Sequence, residues 1–224
     1  MRGNQAIVGS VKSRFRAVLF DLDGTLANTL EDLANATNHA LMTLGCPTHP
    51  VHEYRYFVGD GARNLILRTL PADKGSLAKE ALALMREHYE AHCFDRTRVY
   101  PGIRELVASL RGRKLAVFSN KPDAFTKRMI AHYFPDNPFA AVRGQVANLP
   151  IKPDPTVALQ IAAELNVPTA EWLYLGDTNT DMRTAHAAGM FAVGALWGFR
   201  EREELIEAGA QKLVARPEDV LQLL

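Results

Sequence analysis

The sequence predicts an α/β protein, a doubly wound parallel sheet carrying a small all-helical domain inserted after its first strand. Five short apolar runs, at residues 17–20, 115–118, 172–175, 191–193 and 213–215, are too short and too uniformly apolar for amphipathic surface helices. They fit strands buried in a sheet. Helical patterns at 103–111, 124–132, 156–165, 181–188 and 201–207 lie between those runs, the alternation that builds a parallel sheet from crossovers. From about residue 29 to 96 the alternation stops and helix follows helix.

In chain order, residues 1–13 are polar and glycine-containing and read as a flexible leader. The core is expected over 14–28 and 97–224 and the helical domain over 29–96, with linkers near 28–30 and 97–101. Within the helical domain Leu30, Leu33, Ala34, Thr37, Ala40, Leu41 and Leu44 share one helix face, and Leu77, Ala81, Leu84, Met85 and His88 share another. Gly45 and Pro47 end the first of these helices, glycine suiting a left-handed cap and proline barring continuation.

A chain of 224 residues suits one substantial domain or a core with a smaller insertion. Its net charge of +1 supplies no broad field for nucleic acid or an anionic membrane, and no apolar run approaches bilayer length. Neither kind of partner is expected. A cytoplasmic protein is, as a monomer or homodimer. Cys46 and Cys93 make at most one bridge and lack metal-ligand spacing. His88 and His92 lie four apart beside Cys93, a zinc-compatible spacing without an evident fourth ligand, and read as structural.

The chemistry starts at Phe20-Asp21-Leu22-Asp23-Gly24-Thr25-Leu26. In a parallel sheet the carboxyl ends of the strands form the ligand crevice, and residues i and i+2 of an extended segment project to one side. Two carboxylates placed there repel each other, and a hard divalent cation compensates them. An Asp-Gly turn is the bland alternative for so short a string, but the apolar strand before it and the helix after it favour a site.

Three later loops supply complementary groups. The run at 115–118 leads into Ser119-Asn120-Lys121, a hydroxyl and an amide at a helix start, where an anion is also welcomed by the helix end. Lys152 precedes a proline-marked helix start. The run at 172–175 leads into Gly176-Asp177-Thr178-Asn179-Thr180-Asp181, two more acids four apart. One acid there is an ordinary helix cap; two after a buried strand fit a metal site better.

Taken together, the order Asp-x-Asp, Ser, Lys, Gly-Asp-x-x-x-Asp resembles the signature of the haloacid dehalogenase-like (HAD) hydrolases, across nearly all of the chain after the leader. The resemblance implies a Rossmann-like core with a C1-type helical cap, and a Mg²⁺-dependent phosphatase acting on a small phosphorylated metabolite. By that resemblance Asp21 is the nucleophile and Asp23 the general acid and base. The metal would be held by Asp21, the Asp23 carbonyl and Asp177, with Asp181 behind them. Ser119, Asn120 and Lys152 would hold the phosphate.

Within the cap, Gly59-Asp60-Gly61-Ala62-Arg63 and the tail 194–200 resemble phosphoglycolate phosphatases, so Gly59, Gly61 and Arg63 are expected to set specificity, Arg63 by gripping a carboxylate. Sugar-phosphate phosphatases, pyrophosphatases and phosphosugar mutases share the main motifs and are the alternatives. After DGTL this chain carries Ala27-Asn28-Thr29 where many members place an acid at the cap hinge.

Overall fold

Residues 14–224 are described by the computed structural model, so the expected leader at 1–13 lies outside them. Six strands form one sheet: β1 (Ala17–Phe20), β4 (Lys114–Pro122), β5 (Ala141–Gln145), β6 (Trp172–Gly176), β7 (Phe191–Ala195) and β8 (Lys212–Val214). They lie in the order β5-β4-β1-β6-β7-β8, and every neighbouring pair is parallel. Helices α5 (Ile103–Ser109), α6 (Asp123–Tyr133), α7 (Thr156–Glu164), α8 (Asn179–Ala187) and α9 (Arg202–Glu207) make the crossovers.

The sheet is buried on both faces, which is why its strands read as unbroken apolar runs. Val18 and Phe20 of β1 pack into one apolar layer with Val117 and Leu175, while Ala17 and Leu19 pack into the other with Phe118, Trp172 and Tyr174. β5 is a strand the sequence did not announce. Its residues Ala-Val-Arg-Gly-Gln alternate only loosely, and as an edge strand it is half exposed. β4 outruns its expected end at 118 and carries Ser119, Asn120 and Lys121 on extended backbone, not at a helix start.

Between β1 and β4 the chain forms α1 (Leu30–Thr43), α2 (Tyr54–Phe57), α3 (Ala62–Thr69) and α4 (Ala78–His92). Leu33, Ala34, Thr37, Ala40 and Leu41 are the buried side of α1, as the periodicity predicts, and Ala81, Met85 and Tyr89 are that of α4. Gly45 (φ 64°) closes α1: its N–H bonds the carbonyl of Met42 at 3.0 Å and that of Cys46 bonds Leu41 at 2.8 Å, a Schellman ending. Cys46 and Cys93 are both buried free thiols.

The two segments expected as linkers are paired strands. β2 (Ala27–Asn28) and β3 (Arg98–Val99) run antiparallel, Ala27 opposite Val99 and Asn28 opposite Arg98. Asp32, buried in the first turn of α1, fastens the return segment. Its Oδ1 accepts from the N–H of Arg96 at 3.0 Å, and its Oδ2 from the N–H and hydroxyl of Thr97 at 2.8 and 2.7 Å. An acid therefore stands beside the paired strands, three residues beyond the Ala27-Asn28-Thr29 string.

Candidate active site

β1 is flanked by β4 on one side and β6 on the other, so the chain winds away from it in both directions. Beyond the carboxyl ends of strands at such a switch point a crevice opens. Asp21 follows β1 directly, Ser119 lies in the last part of β4, and Asp177 follows β6 directly. The folding of three apolar strands side by side is thus what brings these polar residues together.

Asp21, Asp177 and Asp181 each present a carboxylate oxygen within 4.8 Å of the others, and all three are buried. Lys152, itself 2% exposed, places Nζ 2.9 Å from Oδ1 of Asp21 and 2.7 Å from Oδ1 of Asp181. Three acids against one lysine leave an excess of buried negative charge. Burial, with Asp181 and Asp177 adding to it and Lys152 opposing, pushes the Asp21 carboxyl well above the usual carboxylate range. Asp177 is pushed up to about 7 by burial and by Asp181, against hydrogen bonds from the N–H of Phe199 and from Thr25. Burial opposes the charge on Lys152, but Asp181 and Asp21 hold it as an ammonium well above its ordinary range.

Acceptor capacity separates the three acids. Asp181 is saturated, since Oδ1 takes Lys152 and the hydroxyl of Tyr174 (3.3 Å), and Oδ2 takes the N–H and hydroxyl of Thr178 (3.0 and 2.6 Å). It also completes the capping box of α8 with Thr178. Asp177 accepts one bond on each oxygen, from Thr25 Oγ1 at 2.7 Å and Phe199 N–H at 2.8 Å, and keeps a lone pair on each. Asp21 accepts on Oδ1 from the N–H of Leu22 at 2.7 Å as well as from Lys152. Its Oδ2 has no hydrogen-bond donor among the described residues. Gly24 and Gly198 press on Asp177 from two sides, and a Cβ at either would overlap its carboxyl group. This set of hard oxygens with free lone pairs and uncompensated charge fits a Mg²⁺ ion, with Asp21 and Asp177 as the carboxylates able to ligate.

Asp23 turns away from that cluster into the cleft. Its carboxylate is held by Lys121, whose Nζ lies 2.9 and 3.2 Å from the two oxygens. Lys121 was missed as a functional residue: its position after Ser119-Asn120 suggested only a helix start, and nothing local marks its partner 98 residues away. Thr25 and Arg200 were missed likewise. Arg200 is buried, donates to the carbonyl of Val58 at 2.9 Å and pairs with Glu204.

Ser119 is buried at the cleft and accepts from the N–H of Lys121 at 3.2 Å. Asn120 has its side chain committed elsewhere. Its amide donates to the carbonyls of Gly59 and Lys152 (2.9 and 3.1 Å) and accepts from the Lys152 N–H at 2.8 Å. It therefore ties the helical insertion to the lysine loop, where the sequence suggested a direct contact with phosphate.

The glycine turn of the insertion does reach the core. Gly59 (φ 117°) lies against Arg200 and Thr178, Gly61 (φ 85°) against Gln145 and Asn120, and Asp60 accepts from the Thr180 hydroxyl at 2.9 Å. Arg63 does not follow it in: it is exposed on α3 and outside the residues lining the cleft. The turn brings backbone to the site and sends the first outward side chain of α3 away from it, so the expected carboxylate grip has no support at this arginine. Of the residues set aside, His88 lies between His39 and His92 with ring centroids 4.4 Å apart on each side and the rings tilted by 32° and 31°. Trp172 is fully buried in the core, and Trp197 donates to the carbonyl of Thr25 at 3.0 Å.

The cleft between insertion and sheet holds about 610 Å³, counting its open mouth. A floor of Asp21, Asp23, Ser119 and Lys121 faces Leu33, Val58, Leu65 and Met85. Such a crevice, with carboxylates and lysines at strand ends, suits chemistry on a phosphate group.

Residues 18–195 match the model of the haloacid dehalogenase-like hydrolases, and the chain belongs to that family. It is 35% identical over 207 residues to a phosphoglycolate phosphatase of Pseudomonas putida, covering 89% of this chain and 75% of the relative. It is 33% identical over 208 residues to a phosphoglycolate phosphatase of Nitrosospira multiformis, covering 89% and 91%. A crystal structure from Lactobacillus delbrueckii subsp. bulgaricus, provisionally assigned as a phosphoglycolate phosphatase, superposes with a TM-score of 0.87 at 28% identity, covering 92% and 96%. The protein is accordingly a phosphatase, a hydrolase of phosphoric monoesters, of the phosphoglycolate phosphatase-like branch. Among the described residues no helix is long and apolar enough to cross a membrane.

Proposed function

We propose that this phosphatase hydrolyses 2-phosphoglycolate to glycolate and phosphate, with Mg²⁺ as cofactor and a phosphoryl group carried transiently on Asp21. The observation that carries the reading is the convergence of Asp21, Asp177 and Asp181 with the Lys152 ammonium at the carboxyl ends of the strands. The phosphoglycolate phosphatase relatives supply the substrate.

Lys152 fixes Oδ1 of Asp21 and leaves Oδ2 to attack phosphorus. As that O–P bond forms, the P–O bond to the leaving group breaks, and Asp23 delivers a proton to the departing oxygen. Water then attacks phosphorus, Asp23 takes its proton, and the Asp21 carboxylate is released. Lys121 lies 2.9 Å from Asp23, so in this mechanism it loosens its hold as substrate enters and Asp23 turns to the leaving oxygen. The Ser119 hydroxyl donates to a phosphoryl oxygen. The bound Mg²⁺, held by Asp21, the Asp23 carbonyl and Asp177, would neutralise charge on the phosphoryl group. Asp181 keeps Lys152 in place.

The helical insertion is proposed to act as the cap, its Gly59–Gly61 turn closing over the site and excluding water. Mg²⁺-dependent release of phosphate from 2-phosphoglycolate, abolished by Asp21→Asn, tests the proposal. Turnover that survives Asp21→Asn overturns it.

A further inference from the structure

The roof of the cleft is apolar except at two side chains of α4, Arg86 and Tyr89. Leu33, Val58, Leu65 and Met85 face the carboxylates across the cleft, and Arg86 is the cation that the helical insertion adds to this lining. The neighbouring lysines are committed, Lys121 to Asp23, and Lys152 to Asp21 and Asp181. Arg86 is exposed, as Arg63 is, but it lines the cleft where Arg63 does not, and it has no ion-pair partner among the described residues. Its place follows from helix geometry. It lies on α4 next to Met85 and one turn before Tyr89, and all three line the cleft. Tyr89 in turn packs its ring over the Lys121 ammonium, 4.8 Å from ring centre to Nζ, which sets this face of α4 directly above the Asp23 carboxylate.

We infer that Arg86 receives a carboxylate carried by the leaving group, so that the site selects phosphomonoesters of short hydroxy acids. This rests on the reading of the Asp21 cluster as the phosphoryl site: the phosphate lies on the core and the leaving group extends past Asp23 toward α4. A guanidinium binds a carboxylate through two parallel N–H···O bonds, which fixes the orientation of the ester as well as attracting it. The aliphatic part of the roof works by exclusion. Leucine, valine and methionine side chains offer no partners to the hydroxyls of a sugar, and a hydroxyl buried without a partner binds poorly. Arg86, standing on α4, thus takes the part that the sequence suggested for Arg63 on α3.

The test compares kcat/KM for 2-phosphoglycolate with that for ethyl phosphate, which lacks the carboxylate, in wild type, Arg86→Gln, Arg86→Lys and Arg63→Gln, all with saturating Mg²⁺. Arg86→Gln is expected to lower the ratio of the two constants at least tenfold, through KM for 2-phosphoglycolate, with Arg86→Lys in between and Arg63→Gln at the wild-type ratio. A ratio unchanged in Arg86→Gln, whether both constants stay or both fall together, overturns the assignment while leaving the phosphatase reading intact. So does a ratio lowered by Arg63→Gln alone. Wild-type protein that releases phosphate from neither ester overturns the phosphoryl site itself, and Arg86 with it.

Discussion

Lys121 and Asp23 form a nearly symmetric ion pair, one ammonium 2.9 and 3.2 Å from the two oxygens of one carboxylate, with the lysine side chain 3% exposed. The two residues come from different strand ends. The pair is roofed by Tyr89 of the helical insertion, whose ring lies 4.8 Å from Nζ. Asp23 is thereby aimed at the cleft and kept off the Asp21–Asp177–Asp181 cluster, where another carboxylate would add repulsion.

Lys121→Met frees that carboxylate to wander. It is expected to lower kcat about tenfold to a hundredfold with KM changed less, a share of the ~10²–10⁴ that general acid–base catalysis contributes. Steady-state kinetics on 2-phosphoglycolate read the split. An unchanged kcat would show that Asp23 needs no such hold.

Removal of metal should make stability depend on pH in a definite direction. Asp177 is raised from 3.8 to about 7 by burial and Asp181, so without metal the folded protein binds more protons than the unfolded chain between those values. Stability is then greatest near the lower value and falls as pH rises through about 7. The melting temperature in chelator is expected to be lower at about pH 8 than at about pH 5.5, and Mg²⁺ to raise it more at the higher pH. Equal Mg²⁺ effects at both would separate Asp177 from metal binding.

Lys152→Met leaves Asp21 and Asp181 buried together with their cation gone. Breaking a buried pair by removing one partner costs about 3–5 kcal/mol, and urea unfolding without Mg²⁺ should show a loss of that order. Saturating Mg²⁺ should restore part of it, since the ion supplies positive charge to the same carboxylates. Recovery is expected in stability and not in turnover.

Asp32→Ala removes the acceptor for two backbone N–H groups and the Thr97 hydroxyl. Buried donors left unpaired cost about 1–3 kcal/mol. Amide exchange at Thr97 and its neighbours is expected to speed up relative to the sheet, together with a rise in KM. Protection unchanged at Thr97 would mean that the β2–β3 pairing alone holds the hinge.

What was legible in the sequence divides along the lines of local and distant causes. β1 and β6 could be read because a parallel strand buried on both faces has to be apolar throughout, and the acids that follow such runs stand out. β5 could not, since an edge strand is free to carry Arg143, Gly144 and Gln145. The Schellman ending at Gly45 was local and came through whole. Lys121, Thr25 and Asn120 owe their parts to partners far along the chain, which no spacing rule encodes. The two arginines make the same point. Arg63 sits beside a conspicuous glycine turn yet stays outside the cleft. Arg86 has an unremarkable helical context, and only the packing of α4 over the cleft gives it a task.

The β2–β3 ribbon has a consequence for how such proteins can diversify. The chain enters the helical insertion through Ala27–Asn28 and leaves it through Arg98–Val99, paired directly opposite, so everything between is spliced in at a single doorway. The carboxylates and lysines proposed to carry the reaction stand outside that splice, at strand ends and in the loops and helix start just beyond them, while the residues proposed to face the leaving group stand inside it. A different segment could enter and exit by the same doorway without rerouting any strand. Lineages built on this plan are able to trade one clientele for another while inheriting the reaction unchanged.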